Sequence, residues 1–413
     1  MKILRKIVGI LLALTVIYLV NHLAVAEEEF KPTMDFKKSR LAAGYLDSGS
    51  DGNYQAGSYQ MPYTLLQFNW LINPDTTVYA KMILNNAKFN GFCCLFVELQ
   101  NLATHISPSL KDSLFNPTVS VGQFKMRFGE ELPYNEPILG LLASNSAGAI
   151  SGMDEGLNLC QEWSKEKFGI PFRWSLSLHN GNSTAPAVDN TQSKAVVLNL
   201  SALPLPALYV SGSYYNSGEL GLQDAALTYA GLATRPTNAT EWSRNIWEFD
   251  LRYDIQPGKK DNSPAKIVSK SSCCGATPNN SIWPGVPAFS SSKAFFRAAY
   301  GKFDDSGKDK VLPILSVTDR KGAYYYVEGC YNATEKLYLG SRYSVIGFDK
   351  STTFASLNGV NANEYTRISF GPGYRLISNT HIKAEYSIDS EDVPTGVSKP
   401  RNNQVAVLVT TLF

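Results

Sequence analysis

The stretch IWEFDLRYDI, residues 246–255, alternates apolar and charged side chains. Its odd-numbered residues, Trp247 to Ile255, are apolar or aromatic, and its even-numbered residues, Glu248 to Asp254, are three acids and an arginine. Because successive side chains of a strand point to opposite sides, this stretch predicts one apolar and one strongly polar face. A soluble sandwich has little need for so many charges in a row opposite such an apolar face.

The same alternation recurs at residues 123–128, 172–179, 336–345 and 381–388. The charged fraction of the chain is 18%, below the ~25% that is usual in soluble domains. Beyond the N-terminus no apolar run approaches the ~20 residues of a membrane helix. Closed barrels are the other structure that satisfies the backbone in lipid. We therefore predict an all-β fold, a transmembrane antiparallel β-barrel with apolar residues toward lipid and polar residues toward a wet lumen.

The barrel is expected to have about 16 strands, within a range of 16–18, from ~20–25 residues per strand and connection. A barrel of that size leaves an aqueous channel. Two long polar stretches, residues 218–240 and 256–292, are predicted to be long loops at one end of the barrel. The closing residues 405–413 place Val405, Val407, Val409, Thr411 and Phe413 on one face, as in the last strand of an outer-membrane barrel.

The N-terminus has the pattern of a secretory signal peptide, residues 1–26. Basic residues precede an apolar core at 7–20, and Ala24-Val25-Ala26 is typical of a cleavage site. Cleavage is expected after Ala26, and an uncleaved anchor helix is the alternative. Residues 27–38 are predicted to be a short periplasmic lead-in, and residues 39–413 the barrel. An exported barrel of this kind belongs in the outer membrane, with lipid as its surroundings.

The mature chain is nearly neutral. The whole sequence has 38 basic and 36 acidic residues, and the signal peptide carries Lys2, Arg5 and Lys6 and no acid, which leaves 35 against 36. No strong basic field favours nucleic acid. Six cysteines follow the signal peptide. In an oxidising compartment they permit disulfides, and Cys273 and Cys274 are the candidates for tying a long loop, with connectivity open.

The segment VGQFKMRFGE at residues 121–130 resembles a motif of the phosphate-selective porin O/P-type family of outer-membrane porins. Residues 178–182 (LHNGN), 337–348 and 367–388 are similar to later strands of that family. The resemblance implies a sixteen-stranded homotrimeric barrel with inward-folded loops and passive passage of solutes. It also implies arginine and lysine ladders that select anions such as phosphate.

Alternation also assigns individual charged residues to the lumen. Such charges bias which ions pass, because a narrow pore strengthens their field. The alternative is that they pair with one another and only keep the wall wet. The predicted pore-lining residues are Lys125, Arg127, Arg173, Glu248, Asp250, Arg252, Arg297, Glu328, Arg342, Arg367, Arg375, Lys383 and Glu385.

Together these patterns predict an outer-membrane porin that lets small hydrophilic solutes or ions diffuse passively. The alternative is a structural or partner-binding barrel, such as a sheath around a periplasmic or electron-carrying protein. A sheath would have more than about 20 strands and a lumen filled by its partner. No nucleophile elbow, phosphate-binding loop, haem site or metal motif occurs, so we expect neither an enzyme nor a cofactor.

Overall fold

The structure is a computed structural model. It describes residues 31–36, 39–50, 57–86, 88–111, 113–130, 140–163, 165–181, 193–221, 228–229, 239–255, 292–308, 319–349, 354–355, 361–377, 379–396 and 398–412. The predicted signal peptide, residues 1–26, lies outside these residues, as do Cys273, Cys274 and Phe413.

Sixteen strands of the described chain form one closed antiparallel barrel. Each strand pairs with its neighbours in sequence, and the last pairs with the first, with Arg40 opposite Leu412. This confirms the predicted fold class. The strands are β1 (Arg40–Asp47), β2 (Ser58–Asn73), β3 (Thr76–Asn85), β4 (Lys88–Leu99), β5 (Thr118–Lys125), β6 (Met153–Trp163), β7 (Phe172–His179), β8 (Ala195–Leu205), β9 (Leu208–Asn216), β10 (Glu241–Ile255), β11 (Ala294–Lys308), β12 (Arg320–Asn332), β13 (Leu337–Phe348), β14 (Glu364–Ile377), β15 (Thr380–Asp392) and β16 (Gln404–Leu412).

Short turns and longer connections occur at both ends of the barrel, but most of the short turns lie at one end. We call the end where β1 begins and β16 ends the terminal end, and the opposite end the loop end. Short turns at residues 74–75, 206–207, 333–336 and 378–379 join strands at the terminal end. Longer connections, among them residues 126–152, 180–194 and 217–240, join strands at the loop end.

The two long stretches predicted at one end lie at opposite ends. Residues 217–240 precede β10 and residues 256–293 follow it. Because an antiparallel strand enters at one end and leaves at the other, the connection after Ile255 starts from the terminal end. The prediction that both stretches share one end is therefore wrong. Composition can identify a connection between strands. The end of the barrel at which the connection lies depends on the number of strands that precede it, which composition does not give.

Part of the predicted lead-in belongs to the sheet. Thr33–Asp35 pairs with the end of β2, with Met34 opposite Trp70, and so extends the line of β1 beyond the terminal end. Phe36 packs edge-to-face on Phe68 with 5.0 Å between ring centroids. The sheet thus begins before residue 39.

The strands expose apolar side chains outward and bury polar ones inward. Phe249 is 63% exposed, whereas its neighbours Glu248 and Asp250 are 4% exposed each. On β16, Val405, Val407 and Val409 are each more than 40% exposed. A transmembrane barrel requires this arrangement, because lipid surrounds the wall and polar groups line its interior.

Short helices lie at the terminal end, at Leu102–Ile106 and Lys165–Phe168, with a 3-10 turn at Pro108–Leu110. Across the described residues, no helix is both long and apolar enough to cross a membrane.

The candidate channel lumen and its inner loop

The connection between β5 and β6, residues 126–152, folds into the barrel, and we call it the inner loop. Its described parts are residues 126–130 and 140–152. The Gly129 amide donates to the hydroxyl oxygen of Ser213 at 2.9 Å, and the Glu130 amide donates to Asp250 Oδ1 at 3.2 Å. Ser213 and Asp250 point inward from β9 and β10. The loop therefore reaches the lumen wall several strands away from its own.

A glycine permits the turn that brings the loop inward. Gly129 has φ +64°, in the left-handed region where other residues are strained. A Cβ at this position would also clash with the carboxylate of Glu248. The backbone of the loop can thus lie close against the charged wall of β10 only because this residue has no side chain.

The second described part of the inner loop follows the wall of β13 to β15. The Ala147 amide donates to the hydroxyl oxygen of Ser344 at 2.9 Å. Arg342 Nη2 donates to the Ser144 carbonyl oxygen at 2.7 Å and to its hydroxyl oxygen at 3.0 Å. The Lys383 ammonium donates to the Gly140 carbonyl oxygen. Inward charges of the barrel wall therefore hold loop backbone that would otherwise be left unpaired.

Glu385 is the main acceptor for this part of the loop, and we call its contacts the Glu385 clamp. Its Oε2 accepts from the amides of Ala143 at 2.5 Å and Ser144 at 2.8 Å. Its Oε1 accepts from the hydroxyl groups of Ser144 and Ser387, the latter at 2.6 Å. Hydrogen bonds to a charged group contribute about 1.5–3 kcal/mol each. One buried carboxylate thus fixes two consecutive peptide groups against β15.

An apolar layer reinforces the loop at the loop end of the lumen. Phe128, Ala147 and Ile150 of the inner loop are buried in it. The wall side chains of the same cluster point inward from β10 to β14, and they include Trp242, Ile246, Phe303, Tyr324, Ile346 and Tyr365. The loop is therefore held by both packing and hydrogen bonds.

The lumen charges form ion pairs across neighbouring strands. Arg297 and Arg342 flank Glu328, with nitrogen–oxygen distances of 2.8 and 3.4 Å. Arg367 pairs with Asp389 at 2.7 Å. Further pairs across strands join Arg244 and Arg320 to Asp305 and Arg173 to Glu162. Arg252 also pairs with Asp254 on its own strand, and Arg173 with Glu130 of the inner loop. The wall is highly charged, but its charges largely balance locally.

Most of the predicted pore-lining residues point into this lumen. Arg127 lies in the inner loop, where burial and the nearby Arg173 guanidinium lower its pKa to about 10. Arg375 points inward at the terminal rim, where it donates to the Glu335 carbonyl oxygen at 3.0 Å. Those that the structure places on the inward, buried wall are Arg173, Glu248, Asp250, Arg252, Arg297, Glu328, Arg342, Arg367, Lys383 and Glu385.

Lys125 is the exception. Its register on β5 places it opposite Met153, on the face away from the lumen, whereas Phe124 points inward. Phe124 packs there against Phe96 and His179, with centroid distances of 6.0 and 5.0 Å. The predicted lumen position of Lys125 is therefore wrong, because a buried aromatic contact occupies the inward face at the end of this strand.

A cavity of about 150 Å³ lies beside the Glu385 clamp. Ser144, Glu385, Ser387 and Gln404 form its polar side, and Leu46 with Ala406 forms its apolar side. Water and small solutes fit such a space. No group of three or more His, Cys, Asp or Glu side chains within the described ranges could hold a metal ion.

Alternation in the sequence did not identify the residues of the inner loop that contact the barrel wall. Ser144 carries no charge and lies outside any strand, so alternation gives no signal for it. Asp305 and Asp389 lie in β11 and β15, outside the stretches in which the sequence shows alternation, so the pattern gives no signal for them as partners of arginines. A search for acids at the same inward level as Arg244 and Arg367 would have found them.

Comparisons with known proteins identify the fold. No family model matches the sequence, and no curated protein does. The solved structures it resembles include the outer membrane channel DcaP of Acinetobacter baumannii, with TM-score 0.55 and 12% identity over 94% of this chain and 99% of that one. Another is the trimer form of OmpT, an outer membrane protein of Vibrio cholerae, with TM-score 0.52 and 11% identity over 93% and 100%. An anion-selective porin from Comamonas acidovorans gives TM-score 0.53 and 9% identity over 93% and 100%.

At these identities the likeness concerns the fold alone, and the resemblance to the phosphate-selective family stays a prediction. The chain has the fold of outer-membrane porins.

Proposed function

We propose that this protein is an outer-membrane porin through which small hydrophilic solutes and ions diffuse passively. The observation that carries the proposal is the inner loop, held inside a sixteen-stranded barrel by Arg342 and Glu385. A barrel of this size without a filling leaves a wide channel. We expect a loop that crosses the lumen and is held on β9 to β10 and β13 to β15 to narrow the channel and so to sort solutes by size.

The ion pairing of the lumen supports only a weak ion preference. Arginines on β11 to β14 would attract anions, phosphate among them, but Glu328 and Asp389 neutralise much of that field. The apolar outer wall supports a place in the outer membrane. The trimer form of the Vibrio cholerae protein supports a homotrimer here.

The alternative function, a sheath around a partner protein, has less support. It calls for a barrel of more than about 20 strands, whereas this one has sixteen. The inner loop also occupies lumen space that a protein partner would need. No described feature favours an enzyme over a channel.

Planar-bilayer recording tests the proposal. Purified protein, shown to be folded by its heat-modifiable gel migration, should give stepwise currents that rise linearly with voltage. Correctly folded protein that inserts and carries no current would refute the porin.

Reversal potentials in a salt gradient test the selectivity. The wild type should show a weak preference, and Arg342→Ala should shift it modestly toward cations, because one lumen cation is removed. Lys321→Ala is the matched control, since Lys321 is 58% exposed and pairs with Asp304 on the outer face. A strongly anion-selective wild type that loses its selectivity in Arg342→Ala would contradict the weak preference.

A further inference from the structure

Two adjacent cysteines on β4, Cys93 and Cys94, point to the same side of the sheet. Lys81 of β3 pairs with Cys94, whereas the next residue of β3 pairs with Phe92. Cys93 is therefore an extra residue, and such a β-bulge sets two residues of one strand opposite one of its partner. Both cysteines are 1% exposed, whereas Phe92 and Leu95, which flank them, are 46% and 50% exposed. The bulge thus turns both thiols inward, where a regular strand would turn one to each face.

The two thiols contact each other without forming a disulfide. Cys93 and Cys94 are free cysteines whose thiols hydrogen-bond to each other. The Cα atoms of consecutive residues are ~3.8 Å apart across a trans peptide bond, whereas disulfides usually span about 4.4–6.8 Å between Cα atoms. A disulfide between these neighbours would therefore be strained. The geometry favours two thiols over a disulfide at this site.

Apolar side chains of the inner wall surround the thiol pair. Leu65, Phe96 and Phe124 are buried in one cluster with both cysteines, and each of the three is at most 2% exposed. Such surroundings exclude water from the sulfur atoms. A charged group at this place is stable only if an opposite charge lies beside it.

A buried cation faces the thiol pair. Lys81 lies directly opposite Cys94 and is 7% exposed, and its charge acts on both thiols. Within the part of the chain that the structure describes, no ion pair involves Lys81. Because a buried charge without a counter-charge is costly, this lysine indicates an anionic group at the thiols.

We propose that Cys93 and Cys94 bind a soft monovalent metal ion, Cu(I), on the inner wall of the barrel. Thiolates are ligands that select Cu(I), and two of them suffice for a linear complex. On binding, the two thiols release two protons and form two S–Cu bonds. The bound unit, one monovalent cation and two thiolates, carries one negative charge. The ammonium group of Lys81 balances that charge.

A divalent ion such as Zn²⁺ fits the site less well. Two thiolates and Zn²⁺ make a neutral unit, which leaves the charge of Lys81 unbalanced. A structural Zn²⁺ also takes four ligands as a rule. Among the described residues, no group of three or more His, Cys, Asp or Glu side chains could supply them. The site therefore selects for a low coordination number and a single positive charge.

Competition with a coloured Cu(I) chelator tests the proposal. Full-length folded protein in detergent is reduced, freed of reductant and titrated with Cu(I) without oxygen, in the presence of bicinchoninate. The wild type should take Cu(I) from the chelator and gain a thiolate-to-metal absorption band in the ultraviolet. Cys93→Ser and Cys94→Ser should each bind one Cu(I) ion fewer per chain. Uptake that is absent from the wild type, or unchanged in Cys93→Ser, would overturn the proposal.

Controls separate this pair from the other cysteines. Cys330→Ser removes another buried thiol, and Cys273→Ser with Cys274→Ser removes the other adjacent pair of the sequence. Both variants should keep the Cu(I) ion that Cys93→Ser loses. A Cys93–Cys94 disulfide, found by peptide mapping of unreduced protein after removal of metal by the chelator, would also overturn the proposal.

Variants of Lys81 test the charge balance. Lys81→Gln should weaken Cu(I) binding by about 10- to 100-fold, whereas Lys81→Arg keeps the charge and should bind as the wild type does. Equal affinities of the two variants would refute the role of Lys81. If the cysteine variants fail to fold, the wild type and the lysine variants decide, because all of them keep both thiols. Cu(I) binding does not depend on conduction, so folded protein that binds the ion and carries no current would refute only the porin.

Discussion

At the scale of residues, Glu385 shows how a charge can be structural and functional together. Its carboxylate accepts hydrogen bonds from the Ala143 and Ser144 amides, and Arg342 binds the Ser144 carbonyl oxygen from the other side. The carboxylate thus binds N–H groups of the loop backbone, and the guanidinium binds one of its carbonyl oxygens. Charged side chains that are bound to the loop in this way contribute less to ion selection than their number suggests.

The clamp can be tested by Glu385→Gln. The amide keeps the size of the side chain but replaces an acceptor oxygen by a donor that faces other donors. We expect the loop to be held less tightly by about 1.5–3 kcal/mol, and the detached state to become roughly tenfold to a hundredfold more populated. Single-channel records should show added noise and larger conductance steps.

The control for this substitution is Asp304→Asn. It makes the same chemical change in an exposed ion pair, where Asp304 contacts Lys321 at 3.3 Å. Its records should match those of the wild type. Unchanged currents in Glu385→Gln would show that the clamp does not restrain the loop.

At the scale of elements, alternation predicts the strands well but predicts the composition of the barrel interior poorly. Residues 246–255 were predicted to present charges to one face, and β10 does bury Glu248, Asp250 and Arg252 inside. Alternation also predicted that inward residues are polar, yet Phe124 points inward and Lys125 does not. Alternation shows that the two faces of a strand differ. A loop or an aromatic side chain packed inside the barrel can nevertheless make the inner face apolar.

The inner loop could not be predicted from local pattern at all. The resemblance to a porin family suggested inward-folded loops, but it did not say which connection folds inward. The hydrogen bond from Arg342 to Ser144 joins residues 198 positions apart. Such contacts depend on the closed barrel, which brings distant strands around one loop. Single-sequence patterns reach only neighbours in the chain and along a strand.

The outward face of β16 can be tested by Val407→Lys. Val407 is 42% exposed near the middle of the strand, and a lysine facing lipid there should destabilise the barrel by about 2–4 kcal/mol. Gln404→Lys, on the inward face of the same strand, should change stability little. Urea unfolding in lipid vesicles measures both. Equal stability of the two variants would contradict the lipid-facing assignment.

At the scale of the whole molecule, the proposed export route and assembly can be tested together. The mature protein isolated from outer membranes should begin at Glu27, so its mass should be lower than the 45.4 kDa of the full chain by residues 1–26. Unheated samples in mild detergent should migrate as a trimer and heated ones as a monomer. Intact residues 1–26 would refute cleavage after Ala26, and a single unheated species of monomer size would refute the trimer.

The pairing of Arg40 with Leu412 has a consequence for biogenesis. These partners are separated by ~370 positions, so the seam is among the most non-local contacts of the chain, and contacts of this kind form slowly. Until the last strand arrives, the first and last strands each carry an unsatisfied edge that invites aggregation. No truncated product can complete the ring. The ring can therefore close only after the entire polypeptide has been made and its last strand has reached the first.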